Sequence, residues 1–415
     1  MTLVLRSVVV IGLGSALCCG FAAAAGAREL LILEAGGIRD SGHDVEQLVD
    51  DLLTQEGAFS GLAVQPAYDA TLDYLGIHKA MVMSASAFGT SVVLSIPSTG
   101  FSRTFTGTSP NDVENQVEDF LKDDGARQLA KFYQETNARS ELALLDGNPR
   151  STTALFARGA FDRFGLGARR AGAGYDQVHV AEWGHVDLGL SAGGGAVDVD
   201  HFGSLYVADA ALTLGGDLGS GAGVDLTLLG QYRDYDGASI YDAGLELGIP
   251  ILLVRPGADG ALRWTVTPFV QTGGGGSRNL LAGGFMVGGG GVSSLSYRFD
   301  YLELTMGNEL AYYGGVPLGK IGGIRIETEL DRWITRNGMK AVVYPAGVPG
   351  VSIEAGIALT HFLDGAAAVD SYASPFAGVA VELHRSVRLR VGWESDFGKN
   401  DYAAYTGRVD LGFEF

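Results

Sequence analysis

The feature that most constrains this chain is a side-chain period of two, running from about Asp176 to Phe415. At the end of the chain Val409, Leu411, Phe413 and Phe415 alternate with Arg408, Asp410, Gly412 and Glu414. The same rhythm recurs in 186–191, 224–233, 241–249, 263–271 and 387–394. Successive strand residues point to opposite faces, so each stretch has one apolar and one polar face. The polar faces carry charges at strand centres, where the outer face of a sandwich or the lumen of a barrel would hold them. Short turn signals such as GGDLGSG, DYDG, RPGADG, PAGVPG and KND separate the stretches. That spacing favours an up-and-down meander over Greek-key crossovers.

The first residues decide where such strands would be used. Arg6 precedes an uncharged run from Val8 to Ala25 that ends in Ala25-Gly26-Ala27, the layout of a signal peptide over 1–27. A lipoprotein reading through Cys18 or Cys19 is weaker, because Ser15 or Ala16 stands where such a site wants Leu. Both cysteines fall inside the expected signal, so the exported chain is expected to have no disulfide and no thiolate or cysteine-metal chemistry. Beyond residue 27 no run of about 18 apolar residues occurs, which excludes a helical membrane span. A chain of this kind crosses a membrane only as a closed barrel. With 48 Asp plus Glu against 29 Lys plus Arg, a formal charge of -19, nucleic acid is not an expected partner.

On these residues the chain resembles bacterial outer-membrane β-barrel proteins, whose last strand commonly ends on Phe. Tyr405, Val409, Leu411, Phe413 and Phe415 match the insertion signal of that family. The resemblance implies the outer membrane of a Gram-negative bacterium, a periplasmic C-terminus, and outer-membrane lipid and the barrel-assembly machinery as partners. Thirteen candidate strands can be counted, whereas bacterial single-chain barrels usually have an even number. Met339 to Tyr344 is therefore read as the continuation of Ile321 to Trp333 through a bulge. The expected fold is mainly β, an antiparallel up-and-down transmembrane β-barrel of twelve strands, with fourteen as the alternative, preceded by a small α/β domain. Tyr235, Tyr301, Tyr312, Trp393 and Phe415, near predicted strand ends, fit interfacial aromatic girdles.

Strand parity assigns the lumen. The acids Asp225, Asp242, Glu246, Glu303, Glu327, Glu329, Asp331, Glu354, Glu394, Asp410 and Glu414 share it with Arg233, Arg263, Arg325, Arg388, Arg390 and Arg408. Charges buried without partners are costly, so this set implies water, mutual pairing or a polar plug. The acidic excess points to cation preference if the lumen conducts.

Residues 28–165 read as a small α/β domain, periplasmic or plugging, joined by a Gly-rich linker at 166–175 to a barrel over 176–415. Strands are expected at 29–33, 81–83, 91–96 and 101–106. Helices are expected at 44–55, from Pro110, at 126–136 and after Ser151. An even strand count with a periplasmic C-terminus leaves this region on the periplasmic side or inside the barrel. An unidentified periplasmic ligand is a further expected partner of this region.

No motif supplies chemistry. GGVPLGK, 314–320, has Ile321 where a phosphate-binding loop needs Ser or Thr, and it joins strands, so it reads as a hairpin turn. The seven histidines form no HExxH, no GxSxG elbow occurs, and His179 with His185 is too sparse for a metal. No catalytic, metal or cofactor site is expected. The glycine runs 273–276 and 288–291 read as loops or curved-sheet positions more readily than as room for a plug. A passive pore, anchor or translocator is the leading function. An autotransporter-type unit, with a segment near Ser151 to Phe164 threading the lumen, is the alternative. From another class come a barrel hydrolase built on His361 and Ser374, or a soluble secreted β-protein.

Overall fold

The computed structural model describes residues 29–414 apart from 65–66, 87–88, 167–185, 200–201, 220, 255–261, 322–323, 364–366, 385 and 400. The expected signal peptide with its cysteines, the linker from residue 167, His179, His185 and Phe415 lie outside the described residues.

The N-terminal unit is a six-stranded antiparallel sheet in the order β2-β1-β3-β4-β5-β6. Its strands are β1 (Leu31–Ala35), β2 (Ile38–Gly42), β3 (Tyr68–Tyr74), β4 (Ile77–Ala85), β5 (Ser91–Ile96) and β6 (Phe101–Thr106). Helices α1 (Val45–Thr54), α2 (Pro110–Asp119) and α3 (Ala126–Arg139) accompany it. Asp44 caps α1 by accepting from the backbone N–H groups of Glu46 and Gln47, and Ser109 caps α2, which opens with Pro110. Leu48, Leu52, Val113 and Val117 are buried with Leu33, Leu72 and Leu94 of the sheet, so the helical stripes expected from spacing do form the core. Sequence reading missed β2 and β3, although Tyr68, Ala70, Leu72 and Tyr74 alternate cleanly.

The C-terminal unit is a closed antiparallel barrel. Its strands are β7 (Val186–Val199), β8 (Gly203–Gly219), β9 (Ala222–Tyr235), β10 (Ala238–Gly248), β12 (Leu262–Ser277), β13 (Ala282–Arg298), β14 (Leu302–Gly315), β17 (Asp331–Val343), β18 (Val351–Phe362), β19 (Ser371–His384), β20 (Val387–Gly398) and β21 (Ala403–Glu414). A short β11 (Ile251–Val254) continues β10 beyond Pro250 and pairs with the same neighbours. β21 pairs with β7, as Glu414↔Asp187 through Ala403↔Asp198, and this closes the ring at twelve strands.

Twelve is the expected number, reached by a different route. Met339 belongs to β17, which runs unbroken from Asp331. The described residues between 321 and 330 do not belong to a barrel strand: β15 (Gly319–Ile321) and β16 (Ile324–Ile326) pair with each other in a separate two-stranded sheet. The apolar-polar alternation of Ile324 to Asp331 belongs to this excursion, and parity carried across it is wrong.

Outward residues such as Leu228, Val270, Leu310, Ile357 and Val391 are exposed on the barrel's outer wall, which therefore presents an apolar band. Tyr241, Tyr312 and Trp333 lie outward near one rim and Tyr297, Phe299 and Tyr301 near the other. Two expected girdle residues differ. Tyr235 is buried inside, and Trp393, though outward, sits mid-strand on β20.

Val186 and Glu414 start and end the barrel at one rim. The N-terminal unit lies at the other. Asn279, in the β12–β13 turn, accepts from the backbone of Val45 at 2.8 Å and donates through Nδ2 to Asp44 at 2.9 Å. Tyr74 donates to the Leu280 carbonyl at 3.0 Å, and Tyr133 donates to that of Leu281. The 362–371 turn adds Ala368 N–H to Asn137 O at 3.2 Å and Val369 N–H to Gly147 O at 2.8 Å.

Candidate functional site

Between the two units, residues 142–166 enter the barrel. Ser151 caps α4 (Thr152–Ala160), a π-helical turn (Phe161–Gly165) continues it, and every residue of both is buried. Those 14 residues extend about 21 Å at 1.5 Å per residue. Burial on all sides fits a helix enclosed by walls rather than laid on a surface.

The wall makes room for the helix with glycine. A Cβ on Gly244 would stand 2.2 Å from Phe156 Cε1, and one on Gly248 2.4 Å from Phe164 Cζ. Gly273 and Gly275 meet Phe156 and Thr152 in the same way. The run 273–276 is thus strand, and its inward members admit the plug, which corrects the reading of these glycines as loops or mere curvature.

The plug carries five charges, each opposite a wall charge of the other sign. Asp146 accepts from Arg332 at 2.6 Å. Arg150 and Arg158 converge on Asp396 Oδ2 at 2.7 and 3.0 Å, while Ser374 donates to Oδ1 at 2.7 Å. Asp162 faces Arg336 at 3.4 Å. Arg163 pairs with Glu246, which also accepts from Gln271, itself donating to the Phe156 carbonyl. Near the mouth, Arg233 and Asp242 pair at 2.9 Å, with Thr152 donating to Asp242 and Arg233 to the Leu144 carbonyl. Such pairs desolvate heavily, so their geometry, more than their number, fixes where the helix can rest.

Among the expected lumen residues, Asp225, Arg233, Asp242, Glu246, Glu303, Glu354, Arg390, Arg408 and Asp410 are buried inside. Arg390 bridges Glu354 at 2.5 Å and Asp410 at 2.7 Å, and Arg408 reaches Asp209 at 2.6 Å. Glu394 lies 3.8 Å from both Arg158 and Arg336. Arg388 donates to Ser352 at 3.2 Å. Glu414, at the end of β21, is register-paired with Asp187. Four residues are corrected. Arg325 lies on the β16 hairpin, Glu327 and Glu329 follow it, with Glu327 3.8 Å from Arg127 of α3, and Asp331 is exposed on outward parity because β17 starts there. Starting β17 at Asp331 instead turns Arg332, Arg336 and Lys340 inward, a basic i, i+4, i+8 row that was legible once the break was placed. Asp396 lies on β20 beyond the alternation of 387–394, so parity over that stretch does not reach it.

Tyr405, Val409, Leu411 and Phe413 lie on the outward parity of β21. The imagined hydrolase pair does not form: His361 is exposed outside, whereas Ser374 is buried inside on Asp396. GGVPLGK runs from the end of β14 into the β15–β16 hairpin, with no helix behind it.

Below Leu166 the lumen opens into a cavity of about 820 Å³, solvent at its mouth included. Arg163, Arg263, Lys340, Arg388 and Arg390 line it against Glu303 and Glu354. Of these cations Arg163 pairs with Glu246 and Arg390 with Glu354 and Asp410.

No family model matches the chain, and no curated protein matches it. Among solved structures, it is similar to the translocator domain of the autotransporter NalP from Neisseria meningitidis, at 14% identity and a TM-score of 0.39, over 64% of this chain and 98% of that one. It is similar to the β domain of the Bordetella autotransporter BrkA, at 15% identity and 0.40, over 55% and 98%. It is also similar to an outer-membrane channel from Pseudomonas putida F1, at 11% and 0.43, over 58% and 99%. The closed ring of twelve strands, with its apolar outer band and aromatic rims, is on its own geometry the fold of an outer-membrane β-barrel.

Proposed function

We propose that this chain is an outer-membrane translocator and anchor of the autotransporter type, a passive, non-enzymatic device that holds its own N-terminal domain at the outer mouth of its barrel. One observation carries the reading: the α/β unit sits at the rim opposite Val186 and Glu414, and residues 142–166 connect it through the lumen. With the C-terminus periplasmic, as the resemblance implies, that unit faces the outside. The even strand count left that region on the periplasmic side or inside the barrel; a chain that also crosses its own lumen reaches the outer side.

The steps are physical. Export follows the signal expected in 1–27. The assembly machinery reads the alternating last strand, and lipid takes up the apolar band. The helix then rests where its five charges meet their wall partners, and the domain packs over the turns. An open pore is disfavoured because the helix fills the upper lumen.

Impermeant maleimide labelling of intact cells tests this, with Ser102→Cys on exposed β6 and Asp300→Cys on the β13–β14 turn at the terminal rim. Ser102→Cys should label on intact cells and Asp300→Cys only after the outer membrane is permeabilised. The reverse pattern would sink the reading.

A further inference from the structure

The apolar band is interrupted by a row of polar side chains. On the outward parity of β13, β14 and β17, Ser293, Asn308 and Asn337 lie side by side in register. Asn308 is the seventh of 14 residues of β14, with Met306 and Leu310 flanking it on the same face and Tyr312 and Tyr301 beyond. It is therefore within the band and not at a rim. Ser293 accepts from Trp264 at 3.0 Å, and Asn337 donates to Thr335 at 3.3 Å. The Asn308 amide is exposed and has no hydrogen-bond partner among the described residues. Hydrocarbon offers none either, and polar groups at this depth mark contacts with protein.

Beside Asn308 the wall is hollow. Gly291, outward and paired with Leu310, has nothing within 4 Å of an added Cβ, and Gly289 lies next along the same face opposite Tyr312. We propose that this face is the interface of a homodimer within the membrane, formed around a two-fold axis at Asn308. A primary amide carries both donors and an acceptor, so two copies related by two-fold symmetry satisfy each other with no third species. The same operation sets Leu310 of one copy toward the glycine trough of the other, a knob and a hole on one surface. The proposal needs the barrel to lie in lipid but does not depend on which way the N-terminal unit faces.

Cys18 and Cys19 are the only cysteines of the chain and lie outside the described residues, so a single introduced thiol is informative. The full chain is expressed in its own outer membrane as Asn308→Cys, with Leu190→Cys on β7, six strands round the ring, as control. Oxidation should yield a reducible dimer from Asn308→Cys and little from Leu190→Cys. In detergent, Asn308→Leu should keep the heat-modifiable barrel while its dimer dissociates at about tenfold higher concentration-normalised constant, as expected for losing two intramembrane hydrogen bonds. Equal cross-linking at both positions, cross-linking of Asn308→Cys to a different protein, or a monomeric mass for the unaltered chain would each overturn the proposal.

Discussion

Asp396 is where the plug is most exposed to a single change. Its carboxylate is fully buried, takes both Arg150 and Arg158, and is held by Ser374. Asp396→Asn keeps the volume and the oxygen that Ser374 addresses but removes the charge, leaving two buried guanidinium groups facing a neutral amide. Removing one partner of a buried ion pair costs about 3–5 kcal/mol, and the retained acceptor places this change near the low end, about 3 kcal/mol. At about 1.4 kcal/mol per decade, the docking equilibrium of the plug falls by roughly two decades. Trypsin reads that equilibrium. Arg150, Arg158 and Arg163 are 1%, 2% and 6% exposed, so cleavage within the plug requires undocking and its rate follows the open population. Exposed Arg103 in β6 serves as internal control. Cleavage in the plug should accelerate about a hundredfold while cleavage at Arg103 stays constant. An unchanged ratio would mean that the pairs do not hold the helix.

Two further outcomes follow from the same geometry. Gly244→Ala, whose added methyl would meet Phe156 at 2.2 Å, should destabilise the docked plug by about 1–3 kcal/mol, seen as a lower urea midpoint for plug protection. That loss should largely vanish in a Phe156→Ala background, because the two positions share one contact. In the α/β unit, the Thr108 backbone N–H and then Gln116 hold the Asp112 carboxyl below its ordinary value. A folded value below the unfolded one contributes stability above the unfolded pKa that is lost as pH falls through the folded one. Unfolding of this unit between about pH 5 and pH 2 should therefore be less steep with pH in Asp112→Asn, followed by circular dichroism.

What could be read in advance divides along physical lines. Barrel strands declare themselves because one face meets lipid and the other does not, so Tyr241 to Ile249 alternates throughout and Val224 to Arg233 does so apart from Leu229, an apolar residue on the inner face. Parity then places Asp225, Arg233, Asp242 and Glu246 inside. It fails at Asp331, where a hairpin interrupts the strand and resets the phase. Helices α1 and α2 were legible through their caps and spacing. Helix α4 was legible as a helix, and its place in the lumen only as an alternative: nothing in the local pattern of Ser151 to Phe164 distinguishes a domain core from an enclosed lumen, since both are dry and packed. The meaning of Gly244 and Gly273 likewise depends on Phe156, a residue remote in sequence. The ion pairs of Asp396 join residues far apart in the chain, information that alternation does not contain.

The central claim is that the chain fills its own barrel, and a lumen cross-link tests it most directly. A Cβ at Gly159 of α4 would lie 3.2 Å from Leu229 Cδ1 on the inner face of β9. In a full chain carrying Gly159→Cys and Leu229→Cys, with a protease site inserted between residues 167 and 185, oxidation in the membrane should join helix to wall. After cutting, the two fragments should run together under denaturing conditions until reduced. Fragments that separate without reductant, from a barrel that still shows heat-modifiable migration, would place the helix outside the lumen and contradict the account.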